Sequence, residues 1–208
     1  MPIVLYHHPF SRAANGIWML EEVGVPYELH YVDIAAGEQK KPDILALNPM
    51  GKLPVLKDGD TVVTESAAIG LYLADRYSYG KLAPKVDDPA RAAYLRWSFF
   101  APSVIEPAAS AKVSGWAVKE SQVGWGNYDA MIAAMESALA GRDFVLGKSF
   151  SMADVIFGGT VDFMLKFKII ESRPAFSAYT ERIMARPAAQ RASQRNFAIA
   201  EERGLNKK

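Results

Sequence analysis

Apolar and polar positions alternate between strand-like and helix-like spacing over the first part of the chain and keep helical spacing alone beyond it. Ile3 to Tyr6 is a short apolar run suited to a buried strand, and from Arg12 to Val23 the apolar residues Ala13, Ala14, Ile17, Trp18 and Leu20 recur at helical spacing. Gly24 stops this helix ahead of Pro26. Tyr27 to Val32 alternates as a second strand, and the helix between is long enough for a right-handed parallel crossover, so the chain opens as a βαβ unit. A helix near Pro42 to Leu47 ends before Asn48-Pro49, because the residue preceding a proline is pushed out of helical conformation. Val55 to Lys57 and Thr61 to Thr64, joined through Asp58-Gly59-Asp60, read as an antiparallel hairpin. Ser66 to Arg76 is apolar almost all round, as a helix is when packed on several sides.

Gly80, Pro84 and Asp87-Asp88-Pro89 form a turn-rich linker, after which only helical periodicity is found. The expected organisation is an α/β domain over residues 1–80 followed by an all-α domain over residues 87–208. Helices are expected from Ala90, kinked or broken at Pro102 and Pro107; through Tyr128, Met131, Ile132, Met135 and Leu139; from Ser151, where Asp154 takes the reciprocal position of a capping box; and from about Phe176 to Arg186 before Pro187. Gly204 to Lys208 reads as a loose tail.

At 208 residues with half of them apolar, the chain can bury a sizeable core. Formal charge is +1, with 24 basic and 23 acidic residues interspersed, so no basic field exists to hold phosphate backbones and nucleic acid is not an expected partner. Cysteine is absent, which removes disulfides, cysteine-ligated zinc and any mechanism in which the protein supplies the thiol. Thiol chemistry here needs a sulfur brought by a ligand. No apolar run approaches a membrane span, and Met1 to Tyr6 lacks the charged start and long apolar stretch of a signal peptide; the expected location is cytoplasmic, with no membrane partner.

The segment Asn48-Pro49-Met50-Gly51-Lys52-Leu53-Pro54-Val55-Leu56, followed by Glu65-Ser66, carries the most chemistry. A cis bond before Pro54 would leave the N–H and C=O of Leu53 facing outward, where an extended peptide could pair with them as an added strand. The helix starting near Ser66 would aim free N–H groups at a ligand carboxylate, with the hydroxyl as one more donor.

Together with Pro9-Phe10-Ser11, Leu20-Glu21-Glu22-Val23-Gly24-Val25-Pro26-Tyr27 and Phe150-Ser151-Met152-Ala153-Asp154, this segment makes the chain resemble the soluble glutathione transferases of the serine type over nearly its whole length. The resemblance implies a thioredoxin-like first domain (βαβ-α-ββ-α) that binds glutathione as co-substrate, with no further cofactor and no metal. It also implies a helical second domain that helps form a pocket for a hydrophobic electrophile, and a homodimer whose interface runs along Ser66 to Arg76 and the first long helix. By that matching Ser11 holds the glutathione sulfur, Leu53 pairs through its backbone beside Pro54, Glu65 and Ser66 bind the γ-glutamyl end, Lys52 assists, and Gln39 and Lys40 reach the glycyl carboxylate. A hydroxyl donor at a helix N-terminus would bring a thiol pKa of about 8.5 toward neutrality.

Alternatives accompany these roles. Ser11 is also a preferred helix cap, and Arg12, His8 and Asn15 are secondary candidates for sulfur activation. Phe10, Val113 and Trp116 either line the electrophile pocket or pack as ordinary apolar residues. His7 and His8 face opposite ways on a strand with no third ligand nearby, which argues against a metal. Tyr6, inside the first strand, reads as core packing. Besides conjugation, the same thiolate would serve an isomerase, dehalogenase or peroxidase; a non-catalytic ligand-binding or scaffolding member is the alternative from another class.

Overall fold

Ile3, Leu5 and His7 are buried while Val4 and Tyr6 are only half-buried, and that alternation makes β1 (Ile3–His7) an inner strand. In the computed structural model, which describes residues 2–206, β1 pairs in parallel with β2 (Tyr27–Tyr31) and antiparallel with β3 (Val55–Asp58), and β3 pairs antiparallel with β4 (Thr61–Thr64). The sheet order is β2-β1-β3-β4, with the βαβ unit and the hairpin joined through the β1–β3 pair. Between β1 and β2 runs α1 (Ala14–Val23), which buries Ile17, Trp18, Met19 and Leu20 and ends at Gly24 in the left-handed conformation (φ 71°). It begins later than Arg12 because residues 11–16 form a tighter turn, with N–H groups bonding three residues back from Ala14 to Ser11 and from Asn15 to Arg12. After β2 come a single 3₁₀ turn at Glu38–Lys40, α2 (Pro42–Leu47), the hairpin, and α3 (Ser66–Tyr77). On α3, Ala67, Ile69, Gly70, Leu73 and Ala74 are buried.

The chain divides into two units, one built from the residues up to Ser78 together with those from Arg186 onward, the other from Tyr79–Ala185. This differs from the expected assignment of 87–208 to one helical domain, and the difference is α9 (Pro187–Glu202), a helix with Pro at its first position that packs on α1. Glu22 receives both arms of Arg186 (2.7 and 2.8 Å) and the Trp18 indole N–H (2.9 Å). Glu21 receives the Tyr27 hydroxyl (2.6 Å) and Arg191 (2.6 Å), with Arg195 at 3.2 Å. Burial would raise the Glu21 carboxyl, but these donors bring it below its ordinary range. Lys207 and Lys208, in the expected tail, lie outside the described residues.

In the second unit, α4 (Ala90–Phe100) runs through a π-helical stretch at Ala101–Ile105 into α5 (Glu106–Ser114), so Pro102 and Pro107 widen the helix for one stretch instead of ending it. Then follow α6 (Tyr128–Leu139), α7 (Met152–Lys166) and α8 (Pro174–Met184). The capping box at Ser151 and Asp154 is formed. The Asp154 carboxylate also accepts the Val145 N–H (2.8 Å) and the Tyr179 hydroxyl (3.0 Å), tying α7 to α8. Among the described residues no helix is long and apolar enough to cross a membrane.

Candidate functional site

Strand register brings four chain segments to one end of the sheet. Tyr6 lies opposite Val55 and Val55 opposite Thr64, while His7 lies beside Tyr31. The chain therefore leaves β1 at His8, leaves β2 at Val32, enters β3 from Pro54 and leaves β4 at Glu65, all at that end. Ser11, Leu53 and Glu65-Ser66 follow within a few residues of those exits, so the sequence-predicted residues of the first domain converge.

Ser11 is half-buried in the turn before α1. Its hydroxyl donates to the His8 carbonyl (2.9 Å) and accepts the Ala13 N–H (3.2 Å). It thus caps the tight lead-in turn, whereas α1 has Ala13 at its N-cap position and no side-chain cap. A serine hydroxyl has one proton, so reaching a ligand sulfur requires a rotation away from the His8 carbonyl. Phe10 is 51% exposed beside it, Arg12 is exposed and Asn15 half-buried. His7 is fully buried; burial first, and the neighbouring His8 second, push it down to about 4, so it is neutral at pH 7. Among the described residues no cluster of three or more His, Cys, Asp or Glu is placed to hold a metal ion. Tyr6 is half-buried with its ring 4.6 Å from that of His30.

The loop before β3 is held by Asn48, whose buried amide donates to the Lys52 carbonyl (3.0 Å) and accepts the Met50 N–H (3.1 Å). Gly51 has φ 57°, and a Cβ there would stand 2.8 Å from the Gln39 carbonyl oxygen, so glycine is required on both conformational and steric grounds. Lys40 closes the same contact by donating to the Met50 carbonyl (2.9 Å), and Gln39 donates to the Ile34 carbonyl (3.4 Å). The Lys40 side chain thereby braces the loop that presents Leu53, whereas the Gln39 side chain bonds within its own segment and meets that loop only through its backbone carbonyl. The Leu53–Pro54 bond is cis, and among the described residues neither the Leu53 N–H nor its C=O has a backbone partner. That pair of groups can accept an extended ligand as an added strand. Lys52 is exposed.

Glu65 has φ 67° and ψ 123°, a conformation that costs a non-glycine residue on the order of 1–3 kcal/mol. It is exposed, and α3 starts immediately after it without a side-chain cap. The first-turn N–H groups at Ser66 therefore face the same end of the sheet as an electropositive donor set. Val113, on α5, and Trp116, just beyond it, belong to the other unit and are 65% and 61% exposed.

Sequence reasoning missed the loop-closing side chain of Asn48 and the turn-closing bond of the His8 ring, His8 having been named only as a secondary candidate for sulfur activation. The signal for Asn48 was present, since an Asn before Pro-x-Gly commonly closes its own turn through the side chain. His8 gave none, because its role depends on a ring nitrogen reaching a backbone N–H two residues on.

Two family descriptions match the chain: "Glutathione S-transferase, N-terminal domain" over residues 9–76 and "Glutathione S-transferase, C-terminal domain" over residues 86–182. Glutathione S-transferase APIC of Nicotiana tabacum is 31% identical over 210 residues, covering 90% of this chain and 95% of the relative. A glutathione S-transferase of Hyoscyamus muticus is 30% identical over 188 residues, covering 83% and 88%. Among solved structures, the theta class glutathione S-transferase of Xanthomonas axonopodis pv. citri, determined with glutathione bound, superposes with a TM-score of 0.72 at 30% identity, covering 93% of this chain and 98% of that one. The chain belongs to the glutathione S-transferase family of enzymes.

Proposed function

We propose that the chain joins the sulfur of glutathione to a hydrophobic electrophile. The observation that carries this reading is the convergence, at one end of the sheet, of a hydroxyl at a helix entrance, a Leu53 backbone with no backbone partner among the described residues and a strained acid before an uncapped helix. The peptide's cysteinyl unit pairs with Leu53 beside cis-Pro54. Glu65 takes its ammonium group, while Ser66 and the first-turn N–H groups of α3 take the γ-glutamyl carboxylate. Lys52, Gln39 and Lys40 are assigned to the glycyl end; Lys40 keeps two of its three N–H donors after bonding Met50.

Ser11 then faces the sulfur. Its hydroxyl rotates from the His8 carbonyl to donate to the thiolate, which favours the ionised form, and the thiol proton passes to solvent. The thiolate electron pair forms the new carbon–sulfur bond, and the electrophile's leaving group departs with the electrons of the broken bond. Exposed Phe10, next to Ser11, is the proposed apolar contact for the electrophile. The active form is proposed to be a homodimer.

Retention on immobilised glutathione, followed by turnover with an activated aryl chloride, tests the reading. Wild-type protein should be retained and should form the thioether, and Glu65→Ala should elute early. Wild-type protein that is neither retained nor active would contradict it.

A further inference from the structure

His8 is buried, yet its side chain makes a specific local bond: Nδ1 accepts the Phe10 N–H at 3.1 Å. Nδ1 is two bonds from Cβ, as Oδ1 is in asparagine, so the ring closes the kind of turn that Asn and Asp close two residues ahead of themselves. The same residue's carbonyl accepts both the Ser11 hydroxyl (2.9 Å) and the Ser11 N–H (3.2 Å). One residue therefore fixes the turn on either side of Phe10. The ring is itself held between Phe10 (centroids 6.1 Å) and Tyr31 (5.6 Å), and the Arg203 guanidinium, just past α9, covers the other aromatic at 4.7 Å from the Tyr31 centroid.

Burial lowers the His8 pKa, only partly opposed by Asp33, so Nδ1 keeps its lone pair at neutral pH. With Nδ1 accepting, the proton sits on Nε2, which is buried and has no partner among the described residues. A ring that leaves a donor unpaired costs stability relative to an apolar residue of the same shape. The gain that offsets it is the acceptor at Nδ1.

We infer that His8 is a positioning residue for Ser11, its ring nitrogen holding the Phe10–Ser11 turn at the angle from which the hydroxyl swings to the ligand sulfur. This rests on the reading of Ser11 as the sulfur contact. Without the acceptor, the Phe10 N–H loses this partner and the turn relaxes, which moves the hydroxyl and leaves the contacts at Leu53, Glu65 and Ser66 in place.

The test titrates the ultraviolet thiolate absorbance of protein-bound glutathione against pH in wild type, Ser11→Ala, His8→Phe, His8→Asn and the double variant His8→Phe/Ser11→Ala, with glutathione Kd measured by calorimetry. Phenylalanine keeps the ring and deletes the acceptor; asparagine keeps the acceptor and deletes the ring. His8→Phe should raise the thiol midpoint by about one pH unit, a tenfold loss of thiolate below it, with Kd changed by less than about threefold. His8→Asn should restore the wild-type midpoint, and adding His8→Phe to Ser11→Ala should change it no further, as expected for residues acting through one contact. A wild-type midpoint in His8→Phe, a raised one in His8→Asn, or additive shifts in the double variant would each overturn the inference while the shift in Ser11→Ala keeps the reading of Ser11. An unchanged midpoint in Ser11→Ala would overturn both. Should His8→Phe not fold, His8→Asn decides alone: a wild-type midpoint supports the acceptor role and a raised one refutes it.

Discussion

Glu65 combines an exposed carboxylate with a backbone that only glycine adopts without cost, and the two properties separate by substitution. Glu65→Ala removes the charge-assisted bond to the ligand's ammonium group, worth about 1.5–3 kcal/mol, and should weaken glutathione roughly ten- to hundred-fold. Glu65→Gly should weaken it equally while keeping or raising the urea midpoint, because the unfavourable φ is relieved. Unchanged calorimetric affinity in both would place the ligand elsewhere. His7 adds a pH dependence. Its folded pKa lies near 4 against an ordinary histidine value of 6.5, so between these the unfolded chain binds a proton that the folded chain excludes. Stability is full above about pH 6.5 and falls toward pH 4 by about 1.4 kcal/mol per pH unit at most, about 3 kcal/mol in all. Urea midpoints measured from pH 7 to pH 5 should decline in wild type and decline less in His7→Leu; identical slopes would show that His7 does not carry the effect.

Among the elements, α9 is anchored by ion pairs of Arg186, Arg191 and Arg195 with Glu22 and Glu21. The Glu22 side chain is 4% exposed and receives both arms of Arg186. Glu22→Ala removes the carboxylate that accepts both arms of Arg186 and the Trp18 indole N–H, and should cost about 2–3 kcal/mol in chemical denaturation. A change below about 0.5 kcal/mol would mean that apolar packing alone seats the helix. The strands, the hairpin, α1, α2, α6 and the capping box of α7 were legible because each is written locally, in periodicity, a glycine stop or a cap. The docking of α9 was not, since Glu21 and Glu22 meet arginines more than 160 residues away in sequence. Nor was the continuation through Pro102, where a π-helical stretch absorbs what local rules give as a break.

For the molecule as a whole, the proposed homodimer has exposed apolar side chains outside α3 to bury. On α3, Ala67, Ile69, Gly70, Leu73 and Ala74 are already buried, while Val62 on β4 and Leu95 and Phe99 on α4 are exposed. Light scattering should give a dimer mass for wild type at micromolar concentration and a monomer mass for Phe99→Asp; a wild-type monomer would contradict the proposal. The candidate site was legible as a set of residues, because Ser11, Leu53, Pro54 and Glu65 each sit in a short motif. Its geometry was not legible: the pairing of Tyr6 with Val55 and of Val55 with Thr64 gathers those motifs at one end of the sheet, and register is set by long-range packing. The central claim is that this site binds glutathione and that Ser11 ionises its sulfur. The most direct measurement is the pH titration of the bound thiolate band in wild type and Ser11→Ala. Wild type should show a midpoint well below that of free thiol, about 8.5, and Ser11→Ala should raise it by about one to two units with affinity nearly unchanged. A wild-type midpoint equal to that of free glutathione, or no shift in Ser11→Ala, would contradict the claim.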